Sequence, residues 1–105
     1  LDYSADQILC SNGAKQSVAL TIMALCRPDD EVLIPTPYWV SYPEMAVLAG
    51  AIPKIIECPL SDGFILKAAA LENAITEKSR LLILCTPSNP TGAMYTRYES
   101  LFALL

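Results

Sequence analysis

Two hydrophobic rhythms alternate along this chain. Short, nearly unbroken apolar runs at residues 7–10, 31–35, 51–58 and 80–85 have the length and content of buried strands. Between them the apolar positions recur every three or four residues. Val18, Ile22, Leu25 and Cys26 mark a helix over 14–26, and Leu71 and Ile75 mark another over 67–77. Because Ala19, Leu20 and Met23 fill the other side of the first, it reads as a central helix buried nearly all round. Ser41-Tyr42-Pro43-Glu44 has capping-box spacing and Gly50 is a suitable stop, which predicts a helix between them. Thr96-Arg97-Tyr98-Glu99 opens a last helix in the same way. Arg27-Pro28-Asp29-Asp30 is a turn, and residues 60–66 form an irregular connection around Asp62-Gly63. Pro53 cannot donate to a ladder, so the 51–58 strand belongs at a sheet edge.

Strands alternating with helices specify an α/β fold, a three-layer α/β/α arrangement with a mainly parallel sheet and right-handed crossovers. Strands of unbroken Val, Ile and Leu also require a sheet covered on both faces. In such a sheet the loops after Cys10, Pro35 and Cys85 all open on one edge, at the carboxyl ends of the strands, where ligands bind. That edge collects Ser11-Asn12-Gly13-Ala14-Lys15, Tyr38-Trp39 and Ser88-Asn89.

Composition narrows the chemistry. With 11 acidic against 7 basic residues, a net charge of −4, the chain is a poor partner for nucleic acid or an anionic membrane surface. No apolar run reaches the ~18 residues of a membrane span, and no basic-then-apolar start suggests a signal peptide, so a soluble protein is expected. Cys10, Cys26, Cys58 and Cys85 are widely separated, with no Cys-x-x-Cys pair and no histidine to complete a metal set. Buried free thiols in a reducing compartment are expected. The lack of histidine also removes Ser-His and Cys-His nucleophilic catalysis, so any reactive group must come from elsewhere. The chain starts at Leu1 rather than a methionine and stops within an apolar helical pattern, as a segment of a longer polypeptide would.

Each loop on the edge has its own chemistry. Asn12 is a good N-cap, which leaves the amides of Gly13, Ala14 and Lys15 as first-turn donors at the positive end of a helix dipole. A phosphate fits there: Gly13 permits close approach and Lys15 adds a compensating charge. The sequence has neither Gly-x-x-x-x-Gly-Lys-Ser/Thr nor Gly-x-Gly-x-x-Gly, so nucleoside triphosphate and dinucleotide binding are unsupported. Trp39, the only tryptophan, can offer a flat apolar face to an aromatic ring. In Thr86-Pro87-Ser88-Asn89-Pro90-Thr91-Gly92 two prolines fix the backbone around Asn89, whose amide is then held ready for a ligand. Taken singly, these features equally suit an ordinary helix start, aromatic packing over a sheet edge, and a plain strand-to-helix turn.

Taken in order, Ser11-Asn12-Gly13-Ala14-Lys15-Gln16, Pro37-Tyr38-Trp39-Val40-Ser41-Tyr42-Pro43-Glu44 and Ser88-Asn89-Pro90-Thr91-Gly92 closely resemble the class I aminotransferases of pyridoxal-phosphate fold type I. The likeness runs over nearly the whole chain. It is greatest to the aspartate aminotransferases of bacterial type, including plastid enzymes that also transaminate prephenate. The resemblance implies that residues 1–105 are an incomplete cofactor-binding large domain of an enzyme that moves an amino group between an amino acid and a 2-oxo acid. It further implies pyridoxal 5'-phosphate as cofactor, with its phosphate on the amides of Gly13 and Ala14 and on Lys15. Trp39 would stack on the pyridine ring and reach the substrate carboxylate. Asn89 would hydrogen-bond the cofactor's phenolic oxygen and assist substrate binding. A homodimer in the cytosol or plastid stroma follows from the same likeness.

In that family the Schiff-base lysine, the aspartate facing the pyridinium nitrogen and the arginine for the α-carboxylate lie further along than Leu105. Lys15 is committed near the phosphate, and Lys54, Lys67 and Lys78 lie away from the ligand edge, so none replaces the first of these. Two rivals stay open: a non-catalytic module binding a phosphorylated ligand, and a lyase or decarboxylase of the same fold. Family topology sets the strands starting at Glu31, Ala51 and Arg80 side by side and leaves the 7–10 strand without its neighbour. The isolated 105-residue segment should therefore be marginally stable and self-associating, for lack of burial. Sedimentation and thermal unfolding check this, and a cooperative melt of a monodisperse monomer would refute it.

Overall fold

A computed structural model describes residues 2–96. Three parallel strands lie in the order β2-β1-β3, with β1 at Glu31–Pro35, β2 at Ile52–Ile56 and β3 at Ser79–Leu82. The helices are α1 at Ala14–Leu25, α2 at Ser41–Leu48 and α3 at Ala68–Ala74, with short 3-10 turns at Ala5–Gln7 and Leu60–Asp62.

The period-two alternation of β1 builds the layers. Val32 and Ile34 are fully buried with Ile22 of α1 and Met45 and Ala46 of α2, while Leu33 points the other way to meet Ile56, Cys58, Leu66 and Leu71 of α3. The sheet is thus covered on both faces, as its apolar strands require. Each such aliphatic side chain removed from water contributes about 1.5–3 kcal/mol.

Prolines set the sheet's limits. Ile52 donates to Asp30 of the β1 side at 2.8 Å, so the next residue, Pro53, turns its missing N–H to the outer edge, where no strand pairs with it among the described residues. In β1, Thr36 N–H reaches Ile56 of β2 at 2.8 Å, whereas the carbonyl of Leu33 accepts Ile83 N–H at 3.0 Å from the β3 side. Pro35 therefore faces β3 and cannot donate. The expected 80–85 strand accordingly ends at Leu82, with one further bond from Ile83.

Helix ends depart from expectation in instructive ways. Tyr42 N–H bonds Trp39 carbonyl at 3.0 Å, so α2 starts from Val40 and Ser41 lies inside it; the expected capping box does not form. Its other end is a Schellman turn: Gly50, at φ 80°, donates to Val47 at 2.9 Å and Ala51 donates to Ala46 at 2.9 Å. The 67–77 helix is shortened to Ala68–Ala74, because Ile75 turns extended. The 51–58 strand is trimmed to Ile52–Ile56, and the last helix expected from Thr96 falls outside the described residues.

Two further expectations fail for want of a neighbour. Residues 7–10 form no strand: Ile8 and Leu9 are 61% and 80% exposed, because a strand cannot pair with solvent. Helix α1 is not buried nearly all round. Ile22 is buried, but Leu20, Met23 and Leu25 are exposed. Among the thiols, Cys26 and Cys58 are buried and Cys85 half-buried, whereas Cys10 is exposed.

Far from the loops, the start of the sheet is tied by Glu31, whose side chain is only 15% exposed. Its carboxylate accepts from Thr76 Oγ1 at 2.6 Å, from Ser79 Oγ at 3.1 Å and from Lys54 Nζ at 3.1 Å, linking β1 to β2 and β3. The Thr76 hydroxyl above all, with Lys54 and Ser79, holds this carboxyl below its usual value of 4.5. A depressed folded-state value makes its contribution full above pH 4.5 and lost as pH falls through the depressed value. In the polypeptide carrying this segment, Glu31→Gln should lower the urea midpoint at neutral pH and flatten the acid limb of stability below that value. Denaturation curves between neutral pH and about pH 3 measure both effects.

Candidate functional site

Parallel pairing sends the exits of all three strands to one rim. There Thr36 ties two of them together: its hydroxyl accepts Cys58 N–H at 3.0 Å while its own N–H donates to Ile56. The loop after β1 then runs over the sheet edge as Pro37-Tyr38-Trp39 and enters α2.

The start of α1 meets this loop directly. Gly13, not Asn12, is the N-cap, at φ 84°; Asn12 instead donates its N–H to Gln16 Oε1 at 2.6 Å. Gly13 N–H is taken by the Ser11 carbonyl at 2.9 Å, and the Gly13 carbonyl receives Gln16 and Ser17. The Ser11 hydroxyl bonds those of Ser17 and the Gly13 carbonyl. Because a glycine cap has no side-chain acceptor, the amides of Ala14 and Lys15 donate to nothing among the described residues. A Cβ built on Gly13 would meet no atom within 4 Å, so the approach to these amides is open. Two unpaired donors at the positive end of a 12-residue helix, beside an open glycine, suit an anion such as a phosphate group.

Lys15 has a second engagement that spacing did not indicate. Its ammonium stands 4.9 Å from the centre of the Trp39 ring, a cation–π distance that brings the charge between α1 and the Trp39 loop. Trp39 is half-buried and meets Tyr42 edge-on, with ring centroids 5.5 Å apart and planes at 90°.

The third loop closes on itself. Ser88 N–H donates to Ala93 at 2.8 Å and Gly92 N–H, at φ 75°, to Ser88 at 2.7 Å, which leaves Asn89 exposed at the tip. Tyr38, Tyr42, Cys85, Ser88 and Tyr95 line one crevice between this loop and the Trp39 loop. Burial foremost, then the Cys85 thiol in the same crevice, pushes the Tyr42 phenol up to about 12. Tyr95 anchors the far side: its hydroxyl accepts Leu66 N–H at 3.0 Å, and burial raises its pKa. The structure thus joins Gly13, Ala14 and Lys15 to Trp39, and the Trp39 loop to the loop bearing Asn89. Tyr42, Cys85 and Tyr95 escaped sequence reasoning as site residues; the one available signal was the spacing of Tyr42, three positions after Trp39.

Helix amides, an indole and an asparagine loop thus share the strand-exit rim of a parallel α/β sheet. The chain belongs to the aminotransferase class I and II family, whose model matches residues 1–101. It is 62% identical over 97 residues to a bifunctional aspartate aminotransferase and glutamate/aspartate-prephenate aminotransferase of Petunia hybrida, covering 92% of this chain and 20% of that protein. A probable aspartate/prephenate aminotransferase of Rickettsia conorii is 47% identical over 99 residues, 94% of this chain and 25% of its own. In three dimensions an aspartate aminotransferase of Rhizobium meliloti superposes with a TM-score of 0.94 at 43% identity, over 99% of this chain and 26% of that one. The chain therefore spans about a fifth to a quarter of the length of the relatives it matches. No described helix is long and apolar enough to cross a membrane.

Tyr95→Phe leaves the buried Leu66 N–H without its acceptor and should cost about 1–3 kcal/mol, read as a lowered urea midpoint of the polypeptide carrying this segment.

Proposed function

We propose that the polypeptide carrying this chain is a pyridoxal-phosphate-dependent aminotransferase, and that this segment is part of its cofactor-binding large domain. The observation that carries the reading is the meeting of the open α1 amides with Trp39, through Lys15, at the carboxyl rim of a parallel sheet. The amides of Gly13 and Ala14 with Lys15 hold the phosphate. The Gly13 amide, now bonded to Ser11, joins only if that short turn opens, so Ala14 and Lys15 carry most of the contact. Trp39 orients the pyridine ring and reaches the substrate carboxylate. Asn89, on its closed loop, bonds the phenolic oxygen and helps seat the substrate.

When bound, pyridoxal phosphate supplies the electron sink, and the protein supplies orientation and charge. The residues here bind and orient; the covalent lysine, the aspartate and the arginine belong to parts of the polypeptide beyond this segment. The names of the Petunia and Rickettsia relatives favour aspartate and glutamate as amino donors and 2-oxo acids, prephenate among them, as acceptors. A homodimer in the cytosol or plastid stroma completes the proposal.

The polypeptide carrying this chain, mixed with pyridoxal phosphate, should give a borohydride-trappable visible chromophore and convert aspartate and 2-oxoglutarate to oxaloacetate and glutamate. Asn89→Ala should lower kcat/KM by about 5- to 150-fold, the loss of an amide contact to a polar ring substituent. A phosphorylated ligand bound without any chromophore would mean a binding module instead, and carbon–carbon cleavage products a lyase.

A further inference from the structure

The loop that bears Asn89 has two limbs, and the sheet holds only one of them. Its outgoing limb leaves β3, which pairs with β1. Its returning limb, residues 93–95, belongs to no strand and comes back from the exposed tip at Asn89. The bonds between and along the limbs close the loop on itself: Ser88 N–H to Ala93 at 2.8 Å, Ala93 N–H to Thr91 Oγ1 at 3.1 Å and Tyr95 N–H to Thr86 Oγ1 at 3.4 Å. Such bonds stiffen the loop, yet they leave it free to tilt as one body about the end of β3. Among the described residues, the hydrogen bond that takes the loop to another segment is made by Tyr95, whose hydroxyl accepts Leu66 N–H at 3.0 Å across 29 positions of sequence. Leu66 is 2% exposed and shares a core cluster with Leu33 of β1, Ile56 of β2 and Leu71 of α3, and the Tyr95 ring packs against the same cluster.

We propose that Tyr95 is a positioning residue: by holding the returning limb to Leu66, it sets where the Asn89 amide stands over the strand-exit rim. This rests on the cofactor reading above, in which Asn89 bonds an oxygen of the ring. Ring packing alone fixes how deep the returning limb sits, because apolar contact has no preferred direction. A hydrogen bond to a buried backbone N–H fixes direction as well, and leaving that donor without an acceptor is costly, so the limb is pinned. Asn89 lies at the far end of the lever so pinned, where a small tilt at the root becomes a larger displacement of the amide. Misplacement by about 1 Å can cost a hundredfold in rate. Tyr95 makes no contact with ring or substrate in this reading, so its whole effect on rate passes through Asn89.

The test uses the complete polypeptide loaded with pyridoxal phosphate, with rates taken per bound cofactor and well below each variant's melting temperature. Tyr95→Phe keeps the ring in the core and removes only the hydroxyl. It should lower kcat/KM by about threefold to tenfold, less than Asn89→Ala does, and change the visible circular dichroism of the bound cofactor, which reports its surroundings. In an Asn89→Ala background the same change should cost less than twofold, because the group it positions is already gone. Thr86→Val, which removes the other hold on residue 95, should act in the same direction and supplies the comparison if Tyr95→Phe does not fold. Glu31→Gln, at the opposite end of the sheet, lowers stability without touching the rim and should leave kcat/KM within twofold. A kcat/KM within twofold of wild type for Tyr95→Phe would overturn the role. So would an equal loss with and without Asn89, or a matching loss in Glu31→Gln, since either makes the effect one of general stability. A wild-type protein that neither binds the cofactor nor transfers amino groups overturns the functional reading itself, whereas an active wild type with an indifferent Tyr95→Phe overturns only the part given to Tyr95.

Discussion

Strand β1 hydrogen-bonds on both sides to strands that run its own way, and every other placement in the molecule follows from that pairing. Parallel strands cannot be joined by a hairpin, so each return to the start of the sheet needs a crossover, here α2 on one face and α3 on the other. The crossovers supply the apolar cover that buries Val32, Leu33 and Ile34. They also force all three strand exits to one rim and all three strand starts to the opposite end. Polar chemistry is then segregated by topology: the Glu31 cluster with Lys54, Thr76 and Ser79 ties the starts, and the loops with the candidate ligands occupy the exits. Carboxylate hydrogen bonds at the closed end stabilise the sheet without crowding the open one.

What was legible in the sequence was whatever a residue imposes by itself. Val32-Leu33-Ile34 can only be a buried strand, and Pro53 can only face an edge, because a missing N–H is a property of proline and not of its surroundings. Gly50 marked the end of α2 for the same kind of reason: the Schellman turn needs a positive φ that glycine takes without cost. The expected three layers and the parallel sheet followed from the order of such elements.

What was not legible depended on a second party. Residues 7–10 have strand composition, but a strand is defined by its neighbour, and these residues have none among those described. Periodicity in α1 showed which positions are apolar; it could not show that Leu20, Met23 and Leu25 lack a covering layer here. At the helix starts, local alternatives differed by one residue. Ser11 and Gln16 satisfy the groups around Asn12, which shifts the cap to Gly13, and the Trp39 carbonyl begins α2 before Ser41 can cap it. The first of these shifts sharpens the chemistry it displaced, since a cap without a side chain leaves more amide donors for an anion.

The contacts that give the rim its order are of the same second-party kind. Lys15 and Trp39 are 24 positions apart by the sequence numbering, and Tyr42 and Cys85, which line one crevice, are 43 apart, so no window of local sequence contains either pair. Each becomes a neighbour only because parallel strands deliver their loops to one end. This explains why motif and geometry name different residues. The loop motifs name the groups that would touch a ligand, Gly13, Trp39 and Asn89, whereas the structure adds Thr36 and Tyr95, whose hydroxyls accept backbone N–H groups of distant segments, and Lys15, whose ammonium meets the indole. A ligand gripped by separate loops is held no better than the loops hold each other. The side chains between the loops therefore matter as much to orientation as the side chains that would touch the ligand.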